Sequence, residues 1–156
     1  IGMEKLLTDK PEKSGIVANM LFSSNNDDFK PAKTPHDWLS RDEDLVLKYY
    51  NDARCGFGCT VKFYDDFYKI MKKVAHTKNY QRIDKNFPIL FVSGEKDPVG
   101  GKAVKEVAKD YKREGLKDVR VEIYPEARHE LMNELNKDEF FADVIAWLDE
   151  KTDDEK

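Results

Sequence analysis

No run of apolar residues in this chain approaches the ~20 that a membrane-spanning helix needs, and the opening Ile1-Gly-Met-Glu-Lys-Leu-Leu lacks the apolar core of a secretory signal. The expectation is a soluble, cytoplasmic protein with no membrane span. Basic residues are not in excess: 27 Lys and Arg stand against 31 Asp and Glu, a net charge of -4 with no basic block. That balance argues against nucleic acid or an anionic lipid surface as partner. Cysteine is scarce as well. Cys55 and Cys59 are the only two, and their C-x3-C spacing would supply at most half a metal site. The three histidines, His36, His76 and His129, are scattered without ligand spacing. The reading is therefore two reduced, partly buried thiols in a reducing compartment rather than a metal site.

Internal repeats and low-complexity tracts are also missing. What remains is a chain of 156 residues, long enough for one domain that buries roughly two-thirds of its unfolded surface. The opening Ile1-Gly2 before Met3 reads as a cloning remnant or as the interior of a longer protein. Residues 1 to 37 combine a short helix around Ile16 to Phe22 with the loop-like Ser23-Ser-Asn-Asn-Asp-Asp28 and with Pro31 and Pro35, which suggests an irregular surface excursion. Ser40-Arg-Asp-Glu43 has the pattern of a capping box, and Leu45, Val46, Tyr49 and Tyr50 then give one apolar helical face running to Asp52. After the break at Cys55-Gly-Phe-Gly-Cys59, Thr60 is a cap for a second amphipathic helix bearing Val61, Tyr64, Phe67, Tyr68, Met71 and Val74. That aromatic stripe suits core packing or, on a small helical insertion, the lining of an acyl pocket.

Beyond the polar stretch Thr77 to Asn86 the pattern becomes strand, helix, strand, helix. Residues 88 to 92 form a continuous apolar run, as in a parallel strand buried on both faces. A helix over about Lys102 to Glu114 presents Val104, Val107, Ala108 and Tyr111 and stops at Gly115. Strand 119 to 124 alternates in the manner of a sheet edge. A last helix begins near Asn136, buries Phe140, Phe141, Val144, Trp147 and Leu148, and gives way to a charged, frayed tail from Asp149 to Lys156.

A strand-helix-strand unit of this length makes a right-handed crossover, so its strands are parallel and the loops that follow them emerge at one edge of the sheet. The first loop, Gly94-Glu-Lys-Asp97-Pro-Val-Gly-Gly, carries Asp97. The second, Pro125-Glu-Ala-Arg-His129-Glu, carries His129. Ligands and catalysis in open α/β sheets sit at that edge, and a carboxylate there can fix the tautomer and orientation of an imidazole acting as general base. Taken alone, Asp97 reads as a turn or capping carboxylate; its placement with His129 after consecutive parallel strands makes the pair a candidate site. Glu95 and Glu130 are alternatives to Asp97, ranked lower because Asp97 sits deeper in its loop and Glu130 adjoins the base rather than facing it.

Phe87-Pro-Ile-Leu-Phe-Val-Ser-Gly-Glu-Lys-Asp-Pro-Val resembles the penultimate core strand and acid loop of an α/β-hydrolase of the serine aminopeptidase, lysophospholipase and monoacylglycerol lipase type. Tyr124-Pro-Glu-Ala-Arg-His-Glu resembles the last strand and histidine loop of the same family. The order of nucleophile, acid and histidine in that family places Asp97 and His129 as expected. Phe29-Lys-Pro-Ala-Lys-Thr-Pro-His-Asp-Trp-Leu-Ser-Arg-Asp42 resembles the cap of bacterial lysophospholipase-like members. The resemblance implies an α/β fold: an incomplete α/β-hydrolase with a helical cap over residues 1–80, the last two parallel strands and their flanking helices over 81–150, and a charged tail over 151–156.

The departure from the family is that no Gly-x-Ser-x-Gly occurs, and the strand, elbow and helix that would present a nucleophile are absent along with the oxyanion-hole loop. Ser14, Ser23, Ser24 and Ser40 lie in cap-like sequence and Ser93 ends a strand, so none occupies the strand-to-helix turn of a nucleophile elbow. The leading expectation is the C-terminal half of a serine hydrolase, produced by proteolysis or truncation and inert alone. It would act on carboxylic esters such as monoacyl lipids, would need no cofactor, and would have its missing N-terminal half or a homodimer partner as protein partner. The alternative is a binding or assembly module derived from such an enzyme; peptidase, thioesterase and haloperoxidase chemistry stay open, because fold does not fix function.

Overall fold

Helical periodicity dominates up to residue 75 and two short strands take over after residue 88, and the architecture divides in the same way. The computed structural model describes residues 15–153; Ser14, the opening Ile1-Gly2-Met3 and the last three residues of the tail lie outside them. The helical part contains α1 (Gly15–Phe22), α2 (Glu43–Asn51) and α3 (Val61–Val74), with single 3₁₀ turns at Asp27–Phe29 and Asp37–Leu39. A longer 3₁₀ stretch, Thr77–Arg82, leads to β1 (Ile89–Gly94), α4 (Gly101–Arg113), β2 (Val119–Tyr124), a 3₁₀ turn at Leu131–Asn133 and α5 (Lys137–Asp153).

Local chemistry accounts for most of these boundaries. The Thr60 hydroxyl accepts from the Phe63 N–H at 3.2 Å and starts α3. Pairs four residues apart, Lys62 with Asp66 and Lys69 with Asp65, line its solvent side. Gly115, at φ 96°, ends α4 in the left-handed conformation that glycine adopts without steric cost. The cap of α2 differs from the sequence expectation. Asp42, not Ser40, accepts from the Leu45 N–H at 3.1 Å, while the buried Ser40 hydroxyl accepts from the Asp42 N–H and donates to the Asn133 carbonyl at 2.7 Å. A distant carbonyl competes for Ser40, and the next carboxylate takes over the cap.

β1 and β2 form a two-stranded parallel sheet in the register Ile89↔Val119 to Gly94↔Tyr124. Ile89, Phe91, Val119 and Val121 face α4 and pack with Ala108, Tyr111 and Leu116. On the other face, Val92 and Tyr124 meet Ala127, Leu131 and Phe140. A third cluster, Trp38, Leu39 and Val46 with Phe29 and Tyr49, sits in the helical part. The expected double-sided burial of residues 88–92 is only half achieved: among the described residues β1 pairs with one strand, and its residues 89–92 stay half-buried. Large apolar side chains are exposed elsewhere as well: Phe63, Phe67, Tyr68 and Met71 on α3, and Phe141, Ile145 and Leu148 on α5.

The tail also departs from expectation. α5 continues to Asp153 instead of fraying from Asp149, because Lys151 bridges to Asp118 at 2.6 Å and Arg120 pairs with Glu150, tying the last turns to β2. Among the described residues, no helix is long and apolar enough to cross a membrane.

Candidate functional site

Parallel pairing brings the loops after β1 and β2 to one edge, where backbone bonds lock them together. Glu95 N–H donates to the Tyr124 carbonyl at 2.9 Å and Lys96 N–H to the Ala127 carbonyl at 2.9 Å. The approach is so close at Gly94 that a Cβ there would lie 2.1 Å from the Arg128 carbonyl oxygen and 2.3 Å from that of Ala127. Only glycine fits.

This seam places Asp97 against His129, with Oδ1 3.0 Å from the imidazole Nδ1. The Asp97 side chain is 8% exposed and that of His129 35%. Asp97 Oδ1 also accepts from the Val99 N–H at 2.8 Å, an Asx-type turn that aims the carboxylate back over the sheet edge. Burial works against ionisation of Asp97, but the hydrogen bond from His129, the Val99 and Gly100 amides and the imidazolium charge outweigh it and hold the carboxyl below its usual range. For His129, the hydrogen bond to Asp97 is the largest influence; burial opposes it, the Asp97 and Glu130 charges reinforce it, and the imidazole is raised above its ordinary value.

The two alternative acids are engaged elsewhere. Glu95 accepts from the Glu126 N–H at 3.1 Å, and Glu130 accepts from the Asn133 side chain at 2.8 Å. Of the serines, Ser40 is held by Asn133 as described, and the buried Ser93 hydroxyl donates to the Gly94 carbonyl at 3.3 Å. No serine among the described residues hydrogen-bonds His129. Cys55 and Cys59 are half-buried free thiols, and no group of three or more His, Cys, Asp or Glu side chains among the described residues is placed to hold a metal ion.

The structure adds residues that the sequence pattern did not single out. The segment 37–41 of the helical part forms one wall of the site. Its Trp38 ring lies 5.0 Å from the His129 ring, and its Trp38 and Leu39 carbonyls accept from the His129 and Glu130 N–H groups at 3.4 and 2.8 Å. Arg128 donates to the Asp37 and Ser40 carbonyls and lies 4.3 Å over the Phe29 ring. Glu134 is buried between the same two segments. Gly94 stands out in sequence as a glycine between a strand and an acidic loop; Glu134 carries no such signal among 31 acidic residues.

The comparisons with known proteins follow the same lines. Residues 7–136 match the family described as serine aminopeptidase, S33. The chain is similar to a highly thermostable carboxyl esterase from Bacillus coagulans, determined in complex with glycerol. The identity is 25% and the TM-score 0.81, over 95% of this chain and 50% of that one. It also shares its fold with a lipase in an open form, at 22% identity and TM-score 0.82 over 96% of this chain and 50% of that one. A monoacylglycerol lipase from Paleococcus ferrophilus is similar at 20% identity and TM-score 0.59, over 89% and 54% of the respective chains. The chain spans about half the length of these structures. No curated protein matches it.

Proposed function

Because the chain belongs to the serine aminopeptidase S33 family and forms part of an α/β-hydrolase fold, we propose that it supplies the acid and the base of a serine hydrolase acting on carboxylic esters. The observation that carries this reading is the Asp97–His129 hydrogen bond at the carboxyl edge of two parallel strands. With Nδ1–H directed to the carboxylate, the neutral imidazole keeps its lone pair on Nε2, the atom that can take a proton from a serine hydroxyl and return it to the leaving alcohol. Asp97 holds that tautomer and stabilises the imidazolium formed along the way.

The nucleophile and the oxyanion donors come from outside this chain, so the chain alone is inert as an esterase. The substrate is a monoacyl ester such as a lysophospholipid or monoacylglycerol, in keeping with the exposed aromatic face of α3 and with the lipase and monoacylglycerol lipase among similar folds. A reducing cytoplasm suits its two free thiols.

The test is ester hydrolysis by the full-length protein. His129→Ala abolishes turnover while the circular dichroism spectrum is unchanged; an active, folded variant refutes the assignment. One observation favours a second reading, a non-catalytic assembly module: the exposed apolar faces of α3 and α5, and the side of β1 that pairs with no strand among the described residues, are surfaces that seek a neighbour. That reading predicts a full-length protein without esterase activity that forms a stable complex through those faces.

A further inference from the structure

Glu134 is the most completely buried large side chain among the described residues, at 1% exposed, and it is a carboxylate. A charge so placed is costly unless every lone pair finds a donor. Here each oxygen has two. Oε1 accepts from the Arg128 N–H at 2.7 Å and the Arg41 N–H at 3.1 Å; Oε2 accepts from the Arg41 guanidinium Nε at 2.7 Å and the Leu135 N–H at 3.1 Å. Arg41 is anchored further by Asn136, whose Oδ1 accepts from its Nη2.

The donors come from two places. Arg128 and Leu135 bracket the loop that carries His129, and Arg41 ends the segment whose Trp38 ring flanks that histidine. The segment is itself held in shape: Asp37 accepts from the Lys33 and Thr34 N–H groups at 2.7 and 3.0 Å, and the Asn26 side chain accepts from the Trp38 N–H at 2.8 Å. Glu134 therefore joins a pre-ordered wall of the helical part to the residue immediately before His129.

We propose that Glu134 is a positioning residue for His129, its buried carboxylate fastening the histidine loop to segment 37–41 so that the imidazole stays in register with Asp97. The proposal rests on the reading of Asp97 and His129 as acid and base. Glu134 touches neither the imidazole nor the reacting atoms. It acts through the Arg128 amide and the Arg41 side chain, over a seam where a displacement of about 1 Å is enough to cost on the order of 100-fold in rate.

The test compares the parent protein with Glu134→Gln, Glu134→Ala and Asp97→Asn. The readouts are the NMR titration of the His129 ring, the hydrogen-bonded Nδ1 proton, and kcat and KM for ester hydrolysis by the full-length protein. Glu134→Gln keeps the volume but turns an amide toward the Arg41 and Leu135 donors. It is expected to lower the His129 midpoint toward that of Asp97→Asn, to broaden the Nδ1 proton, and to reduce kcat by about 10- to 100-fold with KM nearly unchanged. Glu134→Ala does the same more strongly where it folds; if it does not fold, Glu134→Gln decides the matter. A purely structural role would lower the melting temperature of Glu134→Gln and leave the titration, the proton and kcat in place, and that result overturns the proposal. If Asp97→Asn also fails to move the His129 midpoint, the acid-base reading itself falls; if it moves the midpoint and Glu134→Gln does not, only the role of Glu134 is lost.

Discussion

Replacing Gly94 by alanine probes the seam on which the site depends. The new Cβ would stand 2.1 Å from the Arg128 carbonyl oxygen, 2.3 Å from the Ala127 oxygen and 2.6 Å from the Ala127 carbonyl carbon. All three are backbone atoms, so no rotamer change relieves the contact. Restoring even a 3.0 Å separation requires the histidine loop to recede from the end of β1 by about 0.9 Å. That motion stretches the Lys96 to Ala127 bond, now 2.9 Å, and carries His129, two residues beyond Ala127, away from Asp97. Overpacking of this kind costs about 1–3 kcal/mol, and each strained backbone bond about 0.5–1.5 kcal/mol, so Gly94→Ala should lose about 2–4 kcal/mol of stability. Urea unfolding followed by circular dichroism measures that loss. The His129 titration should fall toward the ordinary imidazole range in the same variant. A loss below about 1 kcal/mol together with an unaltered His129 midpoint would refute the claim that the close approach at Gly94 sets the geometry of the pair.

The pair also gives stability a definite pH dependence. Asp97 is shifted down, so its contribution is present above the ordinary carboxylate value of about 3.9 and is lost as pH falls through its folded value. His129 is shifted up, so its contribution is complete below the ordinary imidazole value of about 6.5 and is lost as pH rises through its folded value. Urea midpoints should therefore show an added stabilisation between roughly pH 4 and 6.5 that disappears in Asp97→Asn, and a parent profile with no such difference would contradict the linkage. Because proton abstraction requires neutral His129, the acid limb of kcat/KM in the full-length protein should lie above about pH 6.5, and a limb below that value would exclude a raised His129 as the base. At the start of α2, Asp42→Ala should cost about 0.5–2 kcal/mol through loss of its cap; a larger effect on α2 helicity from Ser40→Ala, read by circular dichroism, would restore the capping-box assignment.

Much of this arrangement was legible in the sequence because it rests on short-range rules. The apolar run at 88–92, the helix stopped by Gly115 and the strand at 119–124 fix a parallel pair, and a parallel pair puts the loops of Asp97 and His129 side by side. Thr60 is readable as a cap because its hydroxyl bonds locally, to the Phe63 N–H three residues on. Ser40 fails as the expected cap for the opposite reason, since its hydroxyl is taken by Asn133, which lies 93 positions away. The same distance hides the Arg41–Glu134 pair, whose members are also 93 residues apart and have no periodicity to betray them. Burial along β1 and α5 falls short of the expectation because an apolar pattern records what a surface is built to meet; among the described residues one side of β1 pairs with no strand, and Phe141, Ile145 and Leu148 stay exposed.

Labelling the full-length protein with a serine-reactive fluorophosphonate and mapping the modified peptide tests whether this chain contributes the acid and base while the nucleophile lies elsewhere in the protein. One labelled serine is expected, in a Gly-x-Ser-x-Gly sequence outside this 156-residue chain, with labelling lost in His129→Ala. Labelling of Ser14, Ser23, Ser24, Ser40 or Ser93, or labelling that survives the loss of His129, would contradict it.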